Sequence, residues 1–179
     1  MEKQRMGNVT GLDFLKKIFY ITDGIMLSQI REICGIDGST LQNWTKRGWV
    51  ANSHNKRYSI DQLSRILIIN MMRDSVQLER IAALLQYVNG RAGDPSDDII
   101  PESELYDYLC RIIDELMNGS DSTPNVRELI KKTLETYVER TAGARQRLEN
   151  ACEIIIYAYF AAMVRQKANN LLDNLFERK

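Results

Sequence analysis

Leu12, Leu15, Ile18 and Phe19 recur at three- and four-residue steps, the spacing of one helix face. A leading helix over residues 12–21 follows, broken by Gly24. Residues 1–9 are polar and without period. Residues 27–36 (LSQIREICGI) predict a second short helix with Ile30 and Ile33 inward and Gly35 at its end. Ser39 and Gln42 have the spacing of a capping box, so a third helix begins at Ser39 or Thr40. It turns Leu41 and Trp44 inward and stops at Gly48. Two short helices joined through Gly35 and Gly38 have a helix-turn-helix outline.

Residues 49–58 lose the helical period. Trp49-Val50, the polar ANSHNK and Arg57-Tyr58-Ser59 read as two short strands around a tight hairpin. Ser59 and Gln62 form a second box, opening a helix with Leu63, Ile66, Leu67 and Met71 on its inner face. Asp74-Ser75 interrupts, and Leu78, Ile81, Leu84, Leu85 and Val88 define another amphipathic helix closed by Asn89-Gly90. Residues 91–103 have the Gly, Pro, Ser and Asp content of a linker. Helices are then expected over 102–117, 124–142 and 144–177. Thr123-Pro124 supplies a cap and a first-turn proline, and Asn118-Gly119-Ser120 a break. Gly143 either divides the last two helices or bends one.

The order helix, turn, helix, polar hairpin, helix, break, helix resembles the DNA-binding domain of the MerR family over about a third of the chain. Residues 27–36 match that family's first helix and turn, and Thr40, Leu41 and Trp44 its second helix. Lys46-Arg47-Gly48 match the basic end, and Arg57-Tyr58-Ser59 with Asp61-Gln62-Leu63 the wing leading into the next helix. LQNW, KRYS and RILIINMMRD also resemble an uncharacterised bacterial domain-of-unknown-function family with a MerR-like start and a helical C-terminal half. The resemblance implies a mainly α fold: a winged helix-turn-helix with a small β-hairpin wing, then a C-terminal helical bundle. It implies a DNA-binding domain over 1–90, a linker over 91–101, and a helical dimerisation or ligand-sensing domain over 102–179.

The chemistry of the residues agrees. A helix in the major groove meets base edges with its early residues. Ser39, Thr40, Gln42, Asn43, Lys46 and Arg47 face away from the core of the third helix. Gln42 and Asn43 can each bond adenine in bidentate fashion, Ser39 and Thr40 can hold a phosphate at the helix start, and Lys46 and Arg47 can reach the backbone. Asn52, His54, Asn55, Lys56, Arg57 and Tyr58 offer contacts beside the groove, although Tyr58 fits a packing role equally well. MerR proteins commonly carry an arginine followed by two aromatics where this chain has Gln42-Asn43-Trp44, so the bound sequence should differ. Polar residues on a helix face are otherwise ordinary solvated positions, which leaves a protein-interaction adaptor as the alternative to a regulator.

The last helix contains ACEIIIYAYFAAMV, apolar on nearly every side, and shows no clean a/d stripe with polar flanks. A three-helix bundle with part of its surface joining a homodimer fits; bundle core and dimer interface both suit this stretch. Tyr106, Tyr108, Tyr157, Tyr159 and Phe160 could line an effector pocket, although aromatics at helical spacing also suit a core.

Charge sharpens the picture. Lys+Arg and Asp+Glu are both 24, which excludes a polycation that holds DNA by charge alone. Residues 1–90 nevertheless carry 12 basic and 8 acidic side chains, and residues 91–179 carry 12 and 16, so a polyanion belongs on the N-terminal half. Over 27–90 the excess is only +3, and two copies on two half-sites would offset that weakness. Cys34, Cys110 and Cys152 are scattered and suit free thiols. No phosphate-binding loop, HExxH or GxSxG appears, so neither an enzyme nor a cofactor is expected. The start lacks a signal-peptide core and the longest apolar stretch is about half a bilayer span, so a cytoplasmic protein without membrane contact is expected.

Overall fold

The computed structural model describes residues 11–20, 22–118 and 125–176, and the chain is mainly helical. In order come α1 (Gly11–Phe19), β1 (Ile25–Met26), α2 (Leu27–Cys34), α3 (Gly38–Lys46), β2 (Arg57–Tyr58), α4 (Ile60–Met72), α5 (Leu78–Asn89) and α6 (Glu102–Asn118). Then come α7 (Val126–Thr133), a 3₁₀ turn (Leu134–Thr136) and α8 (Ala144–Phe176). The readings for residues 1–9, Gly119-Ser120 and Thr123-Pro124 lie outside the described residues.

Helix α4 is the hub, packing against α1, α2, α5, α6 and α8. That placement explains why its buried residues Leu63, Ile66, Ile68, Ile69 and Met72 cover more than one face. Leu67 and Met71, expected inward, are half-buried at the margin. The Ser59–Gln62 capping box forms as read. Arg65 is buried in the same helix and paired with the buried Glu102 at the start of α6. Burial pushes the Glu102 carboxyl above its ordinary range, and the Arg65 guanidinium opposes that.

The hairpin differs from expectation. Trp49-Val50 forms no strand; instead β2 pairs antiparallel with β1, Ile25 opposite Tyr58 and Met26 opposite Arg57. The backbone after α3 is committed elsewhere. The Trp49 carbonyl accepts from Arg65 Nε at 2.7 Å, and the carbonyls of Ala51 and Asn52 accept from Gln62 Nε2 at 3.1 and 2.9 Å. The tight turn itself survives. His54 and Arg57 exchange both backbone hydrogen bonds around Asn55 and Lys56, at φ 49° and 61°, the positive pair a two-residue hairpin needs. Gly24 lets β1 approach, since a Cβ there would lie 2.9 Å from Arg57 Cβ and 3.0 Å from the Tyr58 carbonyl oxygen.

Within residues 91–101 the first part is mostly exposed and the end is packed. Ile99 and Ile100 are buried, and Asn89 bonds both backbone groups of Ile100. The Tyr137 hydroxyl donates to the Ile99 carbonyl. Helix α7 is shorter than the span 124–142. Arg145 donates to the carbonyls of Leu134 and Tyr137 and fixes the non-helical return to Gly143. Gly143, at φ 79°, divides the two helices.

Helix α8 resolves the question of core against surface by doing both. Ala144, Leu148, Ala151, Cys152, Ile155 and Ile156 are buried against α4, α5, α6 and α7. Ile154, between them in sequence, and Tyr157, between Ile156 and the buried Ala158, are 49% and 57% exposed. From Met163 to Phe176 every residue is exposed.

Candidate nucleic-acid interface

Leu41 and Trp44 are buried and seat α3 on the core, which turns Gln42, Asn43, Lys46 and Arg47 outward into solvent. Both ends of this helix are fixed. At its start the cap is Asp37, not Ser39. The Asp37 carboxylate accepts from the Thr40 backbone N–H at 2.7 Å and from the hydroxyls of Ser39 and Thr40. The Ser39 hydroxyl, then the Thr40 N–H, hold this carboxyl down at about 2. The donors expected to hold a phosphate at the start of α3, Ser39 and Thr40, are thus engaged by the Asp37 carboxylate.

At the far end Gly48, at φ 73°, reverses the chain. Its N–H reaches the Thr45 carbonyl and the Trp49 N–H reaches Trp44 at 2.9 Å, the paired closure that glycine permits. Arg47 folds back over the Trp49 ring, 4.9 Å from its centroid, and pairs with Glu79 of α5 at 2.8 Å. This pair is exposed on both sides and worth little to stability. It holds Arg47 away from the position of a free cation.

The hairpin residues Asn52, His54, Asn55 and Lys56 are exposed. Arg57 is exposed as well, but its guanidinium donates to the Gly24 carbonyl at 2.7 Å, bracing β1 against β2. Tyr58 is buried in the core cluster, so the packing role holds and a groove contact does not. The outward set that remains without such ties is Gln42, Asn43 and Lys46 on α3, with Asn52, His54, Asn55 and Lys56 around the turn.

Three residues that sequence reasoning left unassigned help to build this surface. Asp37 caps α3, Glu79 holds Arg47, and Arg65, together with Gln62 of the capping box, tethers residues 49–52. Arg65 carried a readable signal, a lone cation within the apolar run of α4. Its partner, 37 residues away, carried none.

A cavity of about 310 Å³ opens beneath Arg47, lined also by Trp49, Arg65, Glu79, Gln86 and Arg91. The five aromatics proposed for an effector pocket are not gathered around it. Tyr157 faces solvent, Tyr159 and Phe160 meet edge to face at 5.6 Å, and the Tyr108 hydroxyl lies 3.1 Å from Thr136 Oγ1. No disulfide joins Cys34, Cys110 and Cys152, and burial pushes the thiols of Cys110 and Cys152 up to about 11 and about 12. Among the described residues no cluster of His, Cys, Asp or Glu could hold a metal ion, and no helix is long and apolar enough to cross a membrane.

No solved structure matches the chain. It is similar to the uncharacterized protein YkrK of Bacillus subtilis (strain 168), 26% identical over 129 residues, covering 70% of this chain and 54% of that protein. The chain thus spans about half the length of that relative. Residues 12–109, from α1 into α6, match the family model described as a domain of unknown function (DUF1836), and the chain belongs to that family.

Proposed function

We propose that this chain is a sequence-specific DNA-binding transcriptional regulator of MerR-like winged-helix type, working as a pair of copies on two half-sites. The observation that carries the reading is the outward face of α3. Two adjacent amides, Gln42 and Asn43, and the cation Lys46 stand exposed on a short helix whose inner face is buried and whose two ends are locked. An amide presented rigidly to solvent is suited to bidentate bonding with adenine in a major groove. The turn at 54–57, with Lys56 at its tip, would lie along the neighbouring backbone. With Asp37 at the start of α3, phosphate contacts fall to Lys46, Lys56 and, once released from Glu79, Arg47. A small-molecule effector is left unassigned.

The test is selection of bound duplexes from a random pool at about 50 and about 200 mM salt. The expected result is an enriched, near-palindromic site with steep salt dependence. Gln42→Ala or Asn43→Ala should then lose about 1–3 kcal/mol of discrimination at one base pair per half-site. No enriched site, with no binding at the lower salt, overturns the reading. The second reading, a protein-interaction adaptor on the same scaffold, is favoured by one observation: the carboxylate of Asp37 where a phosphate-binding helix start would otherwise be.

A further inference from the structure

The cavity beneath Arg47 is walled by the end of α3 with Gly48 and Trp49, by α5, and by residues 90–92 just after it, with Arg65 of α4 as its buried member. Its space comes from short side chains. Ala82 and Ala83 of α5, and Ala92 beyond it, present only methyl groups where longer residues would fill it. At about 310 Å³ it lies at the small end of ligand pockets. Three guanidiniums line it, those of Arg47, Arg65 and Arg91, against the one carboxylate of Glu79.

The three arginines are unequally committed. Arg65 gives Nε to the Trp49 carbonyl and Nη1 to Glu102, and its Nη2 has no hydrogen-bond partner among the described residues. Arg47 is paired with Glu79, but both side chains are largely in water, and such a pair is weak enough to exchange for another anion. Arg91 is exposed, and its guanidinium has neither hydrogen bond nor ion pair among the described residues. The acids that follow it are turned to the backbone. Asp97 accepts from the Arg91 N–H at 3.2 Å, and Asp94 from the Ser96 N–H at 3.0 Å. A guanidinium has five donors and no acceptor, so the open positions around this space suit an anion.

We propose that the cavity binds a small organic anion with two or more charged groups, a phosphorylated or polycarboxylic metabolite. One anionic group answers Arg91, and a second replaces Glu79 at Arg47. Arg65 Nη2 offers a further donor at the buried wall, and the Trp49 ring an apolar one. The phosphates of a duplex share this chemistry, but they are fixed on a thick rod. A wall formed by a side chain as buried as Arg65 is reached by a free molecule. The site does not depend on DNA binding, so its failure and the failure of the regulator reading are separable.

The probes are inorganic pyrophosphate and citrate, titrated into the full chain without DNA at an ionic strength held constant with sodium chloride. Calorimetry should show saturable binding of at least one probe below about 1 mM. Trp44 is buried in the core and Trp49 lines the cavity, so a change in tryptophan emission should vanish in Trp49→Phe while the heat remains. Arg91→Gln should weaken binding at least about tenfold, the loss of a charge-assisted hydrogen bond. Ala83→Leu alters no charge but fills the space, and should weaken binding as much. Arg140→Gln, at an exposed arginine outside the lining, should leave it unchanged. Arg91 and Ala83 are both exposed, so their variants should keep the thermal midpoint of the parent chain. No saturable binding of either probe below about 10 mM overturns the proposal. So does a loss in Arg91→Gln with none in Ala83→Leu, or an equal loss in Arg140→Gln, since either means surface charge without a cavity. A short duplex that displaces the probe, and whose own binding falls equally in Arg91→Gln, assigns Arg91 to the DNA backbone and overturns it too.

Discussion

Helix α3 and the far part of α8 both present a face to solvent, but the two faces make unequal demands. The face of α3 is made of amides and a lysine, content in water, and its meaning rests on how rigidly it is displayed. The face of α8 is made of aliphatic side chains and a tyrosine, which water disfavours, and its meaning rests on being covered. Exposed polarity therefore has to be argued from what fixes it, and exposed apolarity from what would cover it. For α3 the fixing elements are Trp44, Asp37, Gly48 and the tether from Arg65; for α8 they are the inner residues that anchor its first half.

The largest way to break this contrast acts on the tether. Arg65→Leu removes the donor to Trp49 and leaves Glu102 buried without its partner, and the uncompensated charge should cost about 3–5 kcal/mol of stability. Chemical denaturation reports the loss. Where the variant stays folded, the segment after α3 should lose amide protection. An unchanged midpoint would detach the display of α3 from the core.

The next acts on two neighbours. Ile155 is fully buried and Ile154, about 100° around the same helix, is half exposed. Ile155→Ala should cost about 2–5 kcal/mol in unfolding. Ile154→Ala should cost well under about 1 kcal/mol. Equal losses would mean that Ile154 is as well covered as Ile155, against the difference in their exposure.

The same residues show how far the sequence could be read. Helices α1, α2, α4 and α5 follow amphipathic spacing, and the box at Ser59 and Gln62 is local enough to be seen in four letters. The cap of α3 was not decidable that way, because Asp37, Ser39 and Thr40 are all capable. The carboxylate wins by accepting from both of the others. Strand pairing failed because the groups that keep Trp49, Ala51 and Asn52 out of a sheet are side chains of α4, 10 to 16 residues away. The division of α8 into buried and exposed apolar residues was masked because the two overlaid in one stretch sum to no period at all. Of the predicted contact residues, seven stand outward without ties, and the others act in capping, bracing or packing.

The smallest expected effect lies in the connection that joins the two regions. Asp98 sits half-buried beside the Arg65–Glu102 pair. Burial first, then the charges of Glu102 and Asp97, raise its carboxyl from 3.8 to about 6. Between those values the folded chain holds a proton that the unfolded chain has lost. Stability contributed by this group is therefore present below about pH 4 and declines as the pH rises toward 6. Asp98→Asn removes the ionisation, and at pH 7 it should stabilise the fold by about 1 kcal/mol, discounted for the solvent on its exposed side. The gain should shrink as the pH is lowered through 6 and vanish near 4. Thermal midpoints of the two proteins at pH 4, 5, 6 and 7 would show the curves converging. Parallel curves would mean that Asp98 is open to water, and that the connection is looser at this point than the buried Ile99 and Ile100 beside it imply.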